Sequence, residues 1–226
     1  MKKYIVLILK YIVVFFIIYI NFFLTKKSIF NKNFKKKYEI NTYENYNYIN
    51  LVKKCIISGL LHSNWVDFFI NMFLFYNYSN ILLKNINILT FLIIYFSSIF
   101  FVNIIMYFLK IRTNYVNSHG GISCIMYITS LINPIAEAYI FPISIKIWLL
   151  TIFSTFYFGF FLKNYLKFLH ILGSIFGIIF LLFLKYKFFI YNFYYSTFYL
   201  GVYYSILILT PIIYIFYYKL IKVFFI

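Results

Sequence analysis

The chain has 226 residues, of which 65 % are hydrophobic and 27 % aromatic, with a mean hydropathy of +0.90. Only 21 basic and 4 acidic residues are present, against roughly a quarter charged in an ordinary globular sequence, which excludes a water-soluble domain. The net charge of +17 is not carried on a basic amphipathic face of a soluble domain, so it points to an anionic lipid surface and not to nucleic acid.

Apolar runs long enough to cross a hydrocarbon core of about 30 Å recur from end to end. A β-barrel would show short segments of alternating polarity instead. The reading is an all-α, polytopic membrane protein. Residues 4–24 form the first span, preceded by Lys2 and Lys3; no small-residue cleavage site follows, so the run is taken as a retained helix and not a signal peptide. Residues 25–55 are the only long polar stretch and show no apolar periodicity, which predicts an interfacial loop. Further spans are expected at 56–78, 87–109, 121–140, 143–162 and 166–184. A seventh is expected near 199–218, with Pro211 as a kink. Residues 1–185 then form a six-helix core and 186–226 a C-terminal segment. The loops after odd-numbered spans, with the tail, carry 14 basic residues against six on the other side, which puts the odd side in the cytoplasm under the positive-inside rule. In a lysine-rich chain this leaves the compartment open between the secretory pathway or cell surface and an organelle membrane.

Lys, Asn, Ile, Phe and Tyr all have AT-rich codons, so the 32 Phe and 26 Tyr reflect composition more than function. Cys55 and Cys124 stand far apart and suggest no disulfide framework. The rare residues are more informative. Gly121-Ile122-Ser123-Cys124 places a serine where a loop gives way to an apolar helix, beside first-turn N–H groups that could stabilise an oxyanion. Gly120 and Gly121 allow a sharp entry that aims the hydroxyl. His170, Gly173 and Gly177 share one helix face, and the two glycines let a neighbouring helix approach closely. A serine and an imidazole brought together from two helices form an activated nucleophile. In the second span Asp67 and Asn71 lie one turn apart, downstream of His62, and Asn71 could donate to an oxyanion opposite Ser123. His119 reads as a loop residue beside the glycines. His62, His119 and Asp67 match no metal-ligand spacing.

These three clusters, on alternate spans, resemble those of the rhomboid intramembrane serine proteases: H-x4-H-x3-N, G-x-S-G and H-x2-G-x3-G. Here they stand as His62-x4-Asp67-x3-Asn71, Gly121-x-Ser123-Cys124 and His170-x2-Gly173-x3-Gly177, with Tyr127 matching a tyrosine that packs on the catalytic histidine. The resemblance implies a six-helix rhomboid-like core plus one C-terminal transmembrane helix. It implies a Ser–His dyad with Ser123 as nucleophile and His170 as general base and then acid. Asn71, the Ser123 N–H and a neutral Asp67 would form the oxyanion hole, with Gly121, Tyr127, Gly173, Gly177 and His62 in support. The implied substrates are transmembrane segments of single-pass proteins in the lipid bilayer, entering beside the second and fifth spans. No cofactor, metal or nucleic acid is implied. Asp67 and Cys124 depart from the family pattern and support a second reading, a proteolytically inactive rhomboid-like protein that binds transmembrane clients. A transporter is a third reading, with only Lys10, Asp67 and Glu137 as intramembrane charges to serve it.

Overall fold

The computed structural model describes residues 2–110, 114–116, 118–140, 142–161 and 164–195. The chain is mostly helical: α1 (Lys2–Phe30), α2 (Lys32–Tyr38), α3 (Tyr48–Ser58), α4 (Trp65–Asn85), α5 (Ile88–Phe108), α6 (His119–Ile132), α7 (Ile147–Phe161) and α8 (Asn164–Tyr195). Among the described residues, two short antiparallel ribbons interrupt the helices. β1 (Ile40–Asn41) pairs with β2 (Asn114–Tyr115), and β3 (Glu137–Ile140) with β4 (Ile143–Lys146), in the register Glu137↔Lys146.

The asparagines that composition supplies are put to structural use. Asn31, Asn47, Asn64 and Asn87 cap α2, α3, α4 and α5, each side chain accepting from the backbone N–H three residues on. This satisfies one of the donors that a helix start leaves open.

α6 is the centre of the molecule. All 14 of its residues are buried, including the polar His119, Ser123, Thr129 and Ser130. α4, α5, α7 and α8 pack around it, and α1 packs on α4. α4 and α6 run in the same direction, since Asn71 meets His119 near their starts and Thr129 Oγ1 donates to Tyr78 O (3.3 Å) further along. α7 runs against them: its start contacts Tyr78 through Ile147 O (3.4 Å), and its Thr155 reaches Tyr127 and His170.

Among the described residues, three helices are long and apolar enough to cross a membrane by length and composition: Tyr4–Phe30, Ile88–Phe108 and Tyr165–Phe183. The apolar helices His119–Ile132 and Ile147–Phe158 are shorter.

Several expected boundaries need correction. The run 56–78 is not one helix: α3 ends on Gly59, and α4 starts after the Asn64 cap. The run 121–140 is helical only to Ile132, because the residue before a proline is pushed out of the α region; Asn133, before Pro134, sits at φ −142°, ψ 70°. The remainder of that run, with 143–146, forms the β3–β4 ribbon. The polar stretch 25–55 is not a plain loop. Leu51, Cys55 and Ser58 give α3 a buried face, and Asn103 Nδ2 of α5 donates to Cys55 O (2.8 Å). α8 continues past residue 185, the expected edge of the core. The span at 199–218 lies outside the described residues.

Candidate active site

Ser123 and His170 meet across the α6–α8 contact. Ser123 Oγ is hydrogen-bonded to His170 Nδ1 and lies 2.7 Å from His119 O, and both side chains are buried. The glycines of α8 make this approach possible. A Cβ on Gly173 would stand 2.3 Å from Gly120 O and 2.9 Å from Ser123 Cβ, and one on Gly177 would stand 2.7 Å from Cys124 O. No L side chain fits at such distances against backbone. Cys124, where the family pattern has a glycine, is fully buried.

The imidazole is held on three sides. Its Nε2 is 3.5 Å from Thr155 Oγ1 of α7, and Tyr127 OH is 3.2 Å from the same oxygen. The Tyr127 ring stands edge-on to it at 6.2 Å between centroids, and Phe158 at 4.7 Å. Thr155 and Phe158 were not foreseen from the sequence.

Ser123 does not sit where a loop enters the helix. α6 starts four residues earlier, at His119, and Ile122 N already donates to Ser118 O (3.3 Å). Nor do the glycines make a sharp turn: no described glycine has a positive φ. They allow close packing on α5, where a Cβ on Gly120 would stand 2.7 Å from Val102 Cγ1 and one on Gly121 2.7 Å from Ile99 Cγ1.

The α4 side holds a second polar cluster. Asp67 accepts from Ser63 N (3.3 Å) and Ser63 Oγ (3.2 Å) on one oxygen, and from Asn71 Nδ2 (2.8 Å) on the other. Asn71 Nδ2 also lies 3.1 Å from His119 Nδ1, and His119 Nε2 lies 3.8 Å from Asp67 Oδ1. His119 is therefore not a loop residue. It opens α6, is 1 % exposed, and packs its ring on Phe158 at 5.1 Å. Its position one turn before Ser123 was the signal that could have found it.

His62 lies in the α3–α4 turn and not within a helix. It bridges Thr25 Oγ1 of α1 (3.2 Å at Nδ1) and Ser118 Oγ (2.6 Å at Nε2), which ties the segment before α6 to α1.

Two openings adjoin the cluster. A cavity of about 560 Å³ is lined by Ser63, Asp67, Ile70, His119, Tyr157 and Tyr165 among others. An apolar groove of about 440 Å³ runs between α4 and α7, walled by Phe69, Phe73, Leu74, Phe153 and Tyr157. No family model, curated protein or solved structure matches the chain.

Proposed function

We propose that the chain is an intramembrane serine endopeptidase of rhomboid type, a multi-pass protein whose six helices α1 and α4–α8 form the catalytic core. The hydrogen bond between Ser123 Oγ and His170 Nδ1 carries the reading, because it joins a nucleophile to a base across two helices at a site that excludes bulk water. His170 takes the hydroxyl proton as Ser123 attacks a peptide carbonyl carbon. Collapse of the tetrahedral intermediate breaks the C–N bond, and His170 returns the proton to the leaving amine. Water, deprotonated by His170, then hydrolyses the acyl-enzyme and frees Ser123.

The substrates are transmembrane segments of single-pass proteins. The α4–α7 groove is apolar along its length and adjoins the cavity lined by Asp67 and His119, so an unwinding helix can pass from lipid along an apolar wall to polar groups one helical turn from Ser123. A deep site also suits this substrate, since a strand in transit must pair its backbone groups with protein.

The test is cleavage of a transmembrane substrate in liposomes by wild type, Ser123→Ala and His170→Ala. The expected result is cleavage by wild type alone, with each variant reduced at least about 10³-fold. Cleavage that survives Ser123→Ala overturns the assignment. A folded wild type that cleaves no substrate, yet retains single-pass clients, favours the inactive client-binding reading.

A further inference from the structure

Asp67, Asn71 and His119 form a relay whose hydrogens can be counted. Ser63 N, Ser63 Oγ and Asn71 Nδ2 all donate to the Asp67 carboxyl group. Its Oδ1 therefore fixes the Asn71 amide with the nitrogen inward, because the flipped amide would set two acceptors 2.8 Å apart. One amide hydrogen goes to Asp67. The other faces His119 Nδ1 at 3.1 Å, so Nδ1 accepts and the ring of a neutral His119 carries its proton on Nε2. Both Asn71 hydrogens are then committed, and Asn71 has none to give a reacting carbonyl. Nε2–H is the donor of this group on the side of the cavity that His119 and Asp67 line together.

Resting on the protease reading, we infer that His119 Nε2–H is the side-chain donor to the oxyanion, and that Asn71 and Asp67 position it. His119 is suited to the part. It precedes Ser123 by one helical turn, its own carbonyl oxygen lies 2.7 Å from Ser123 Oγ, and its ring is clamped against Phe158, which also abuts His170. The nucleophile, the base and this donor thus share one rigid frame, as a site that stabilises developing charge needs. Asp67 serves by holding the Asn71 amide in the orientation that sets the His119 tautomer.

The test is a mutant cycle on the full chain in liposomes with a single-pass transmembrane substrate. His119→Phe keeps the ring against Phe158 and removes the N–H; kcat is expected to fall about 10²-fold or more with KM held within about threefold. Asn71→Leu is expected to lower kcat as well. The double variant is expected to fall no further than His119→Phe alone, because Asn71 acts through the imidazole. His119→Gln, which retains an N–H, is expected to recover at least about tenfold over His119→Phe. Thermal unfolding in detergent identifies any variant that fails to fold, and the remaining pair then decides. His119→Phe retaining a third of wild-type kcat, a double variant whose losses multiply, or His119→Gln as poor as His119→Phe overturns the inference while leaving the protease reading intact. A wild type no more active than Ser123→Ala overturns both.

Discussion

In the proposed protease, Thr155 determines which nitrogen of His170 is free to act as the base. The Thr155 hydroxyl has one hydrogen and gives it to Thr151 O at 2.8 Å. Its oxygen can then only accept, from Tyr127 OH and from His170 Nε2. An accepting Thr155 keeps the imidazole proton on Nε2 and leaves the Nδ1 lone pair facing Ser123, as general-base catalysis requires. Thr155→Val keeps the shape and deletes the acceptor. Its expected effect is a fall in kcat of about tenfold with little change in KM, and Thr155→Ser restores the rate because it restores the oxygen. A Val variant as fast as wild type would remove Thr155 from the site. Nothing in the sequence singled this residue out, since a threonine in an apolar helix usually bonds its own backbone. Ser123 and His170 were legible for the opposite reason: three His and seven Gly in 226 residues make a His-x2-Gly-x3-Gly face conspicuous. His119 was hidden by a boundary error, because a residue assigned to a loop is not compared with positions one turn along.

Among the elements, the α6–α8 seam has the least room to give. Gly173→Ala introduces a methyl group 2.3 Å from Gly120 O, and backbone cannot swing aside as a side chain can. α8 must shift, at a cost of about 1–3 kcal/mol, and the shift acts directly on the Ser123–His170 hydrogen bond. Cleavage is expected to fall more than tenfold, because misplacing a base by a fraction of an ångström forfeits much of its effect. Gly177→Ala meets Cys124 O one turn further from the dyad; it is expected to destabilise by a similar amount and to reduce cleavage less. Parallel thermal unfolding and rate measurements separate the two, and equal activity losses would mean that the seam serves stability alone. The α8 glycines and their face were readable in advance, as was α5, expected at 87–109 and found at Ile88–Phe108. Hydropathy misled wherever an apolar run continued through a break in the backbone. Gly59, the Asn64 cap and Asn133-Pro134 were the marks of those breaks, and each is a matter of backbone geometry to which hydrophobicity is blind.

Over the whole molecule, the proposed membrane placement makes a claim that the two tryptophans can test. Trp65 begins α4 at the end where His119 and Asp67 lie, packed on Phe68 and Phe69. Trp148 begins α7, which runs against α6, so it lies at the opposite end beside the β3–β4 ribbon. α6 itself, at 14 residues, spans only about 21 Å at 1.5 Å per residue, short of a hydrocarbon core of about 30 Å. In the proposed placement, a slab that covers the apolar stretches of α1, α5 and α8 holds Ser123 below its surface and sets both indoles near its edges, where amphipathic aromatic rings are stable. Single-tryptophan variants, Trp65→Phe and Trp148→Phe, reconstituted in lipids brominated at different acyl depths, read the position of the remaining indole. Both are expected to be quenched more by bromine near the headgroup than by bromine near the chain end. Deep quenching of either indole would tilt or shift the slab and remove the lateral route from lipid through the α4–α7 groove. Shallow quenching of both would put that groove level with the hydrocarbon, where a transmembrane substrate can reach it.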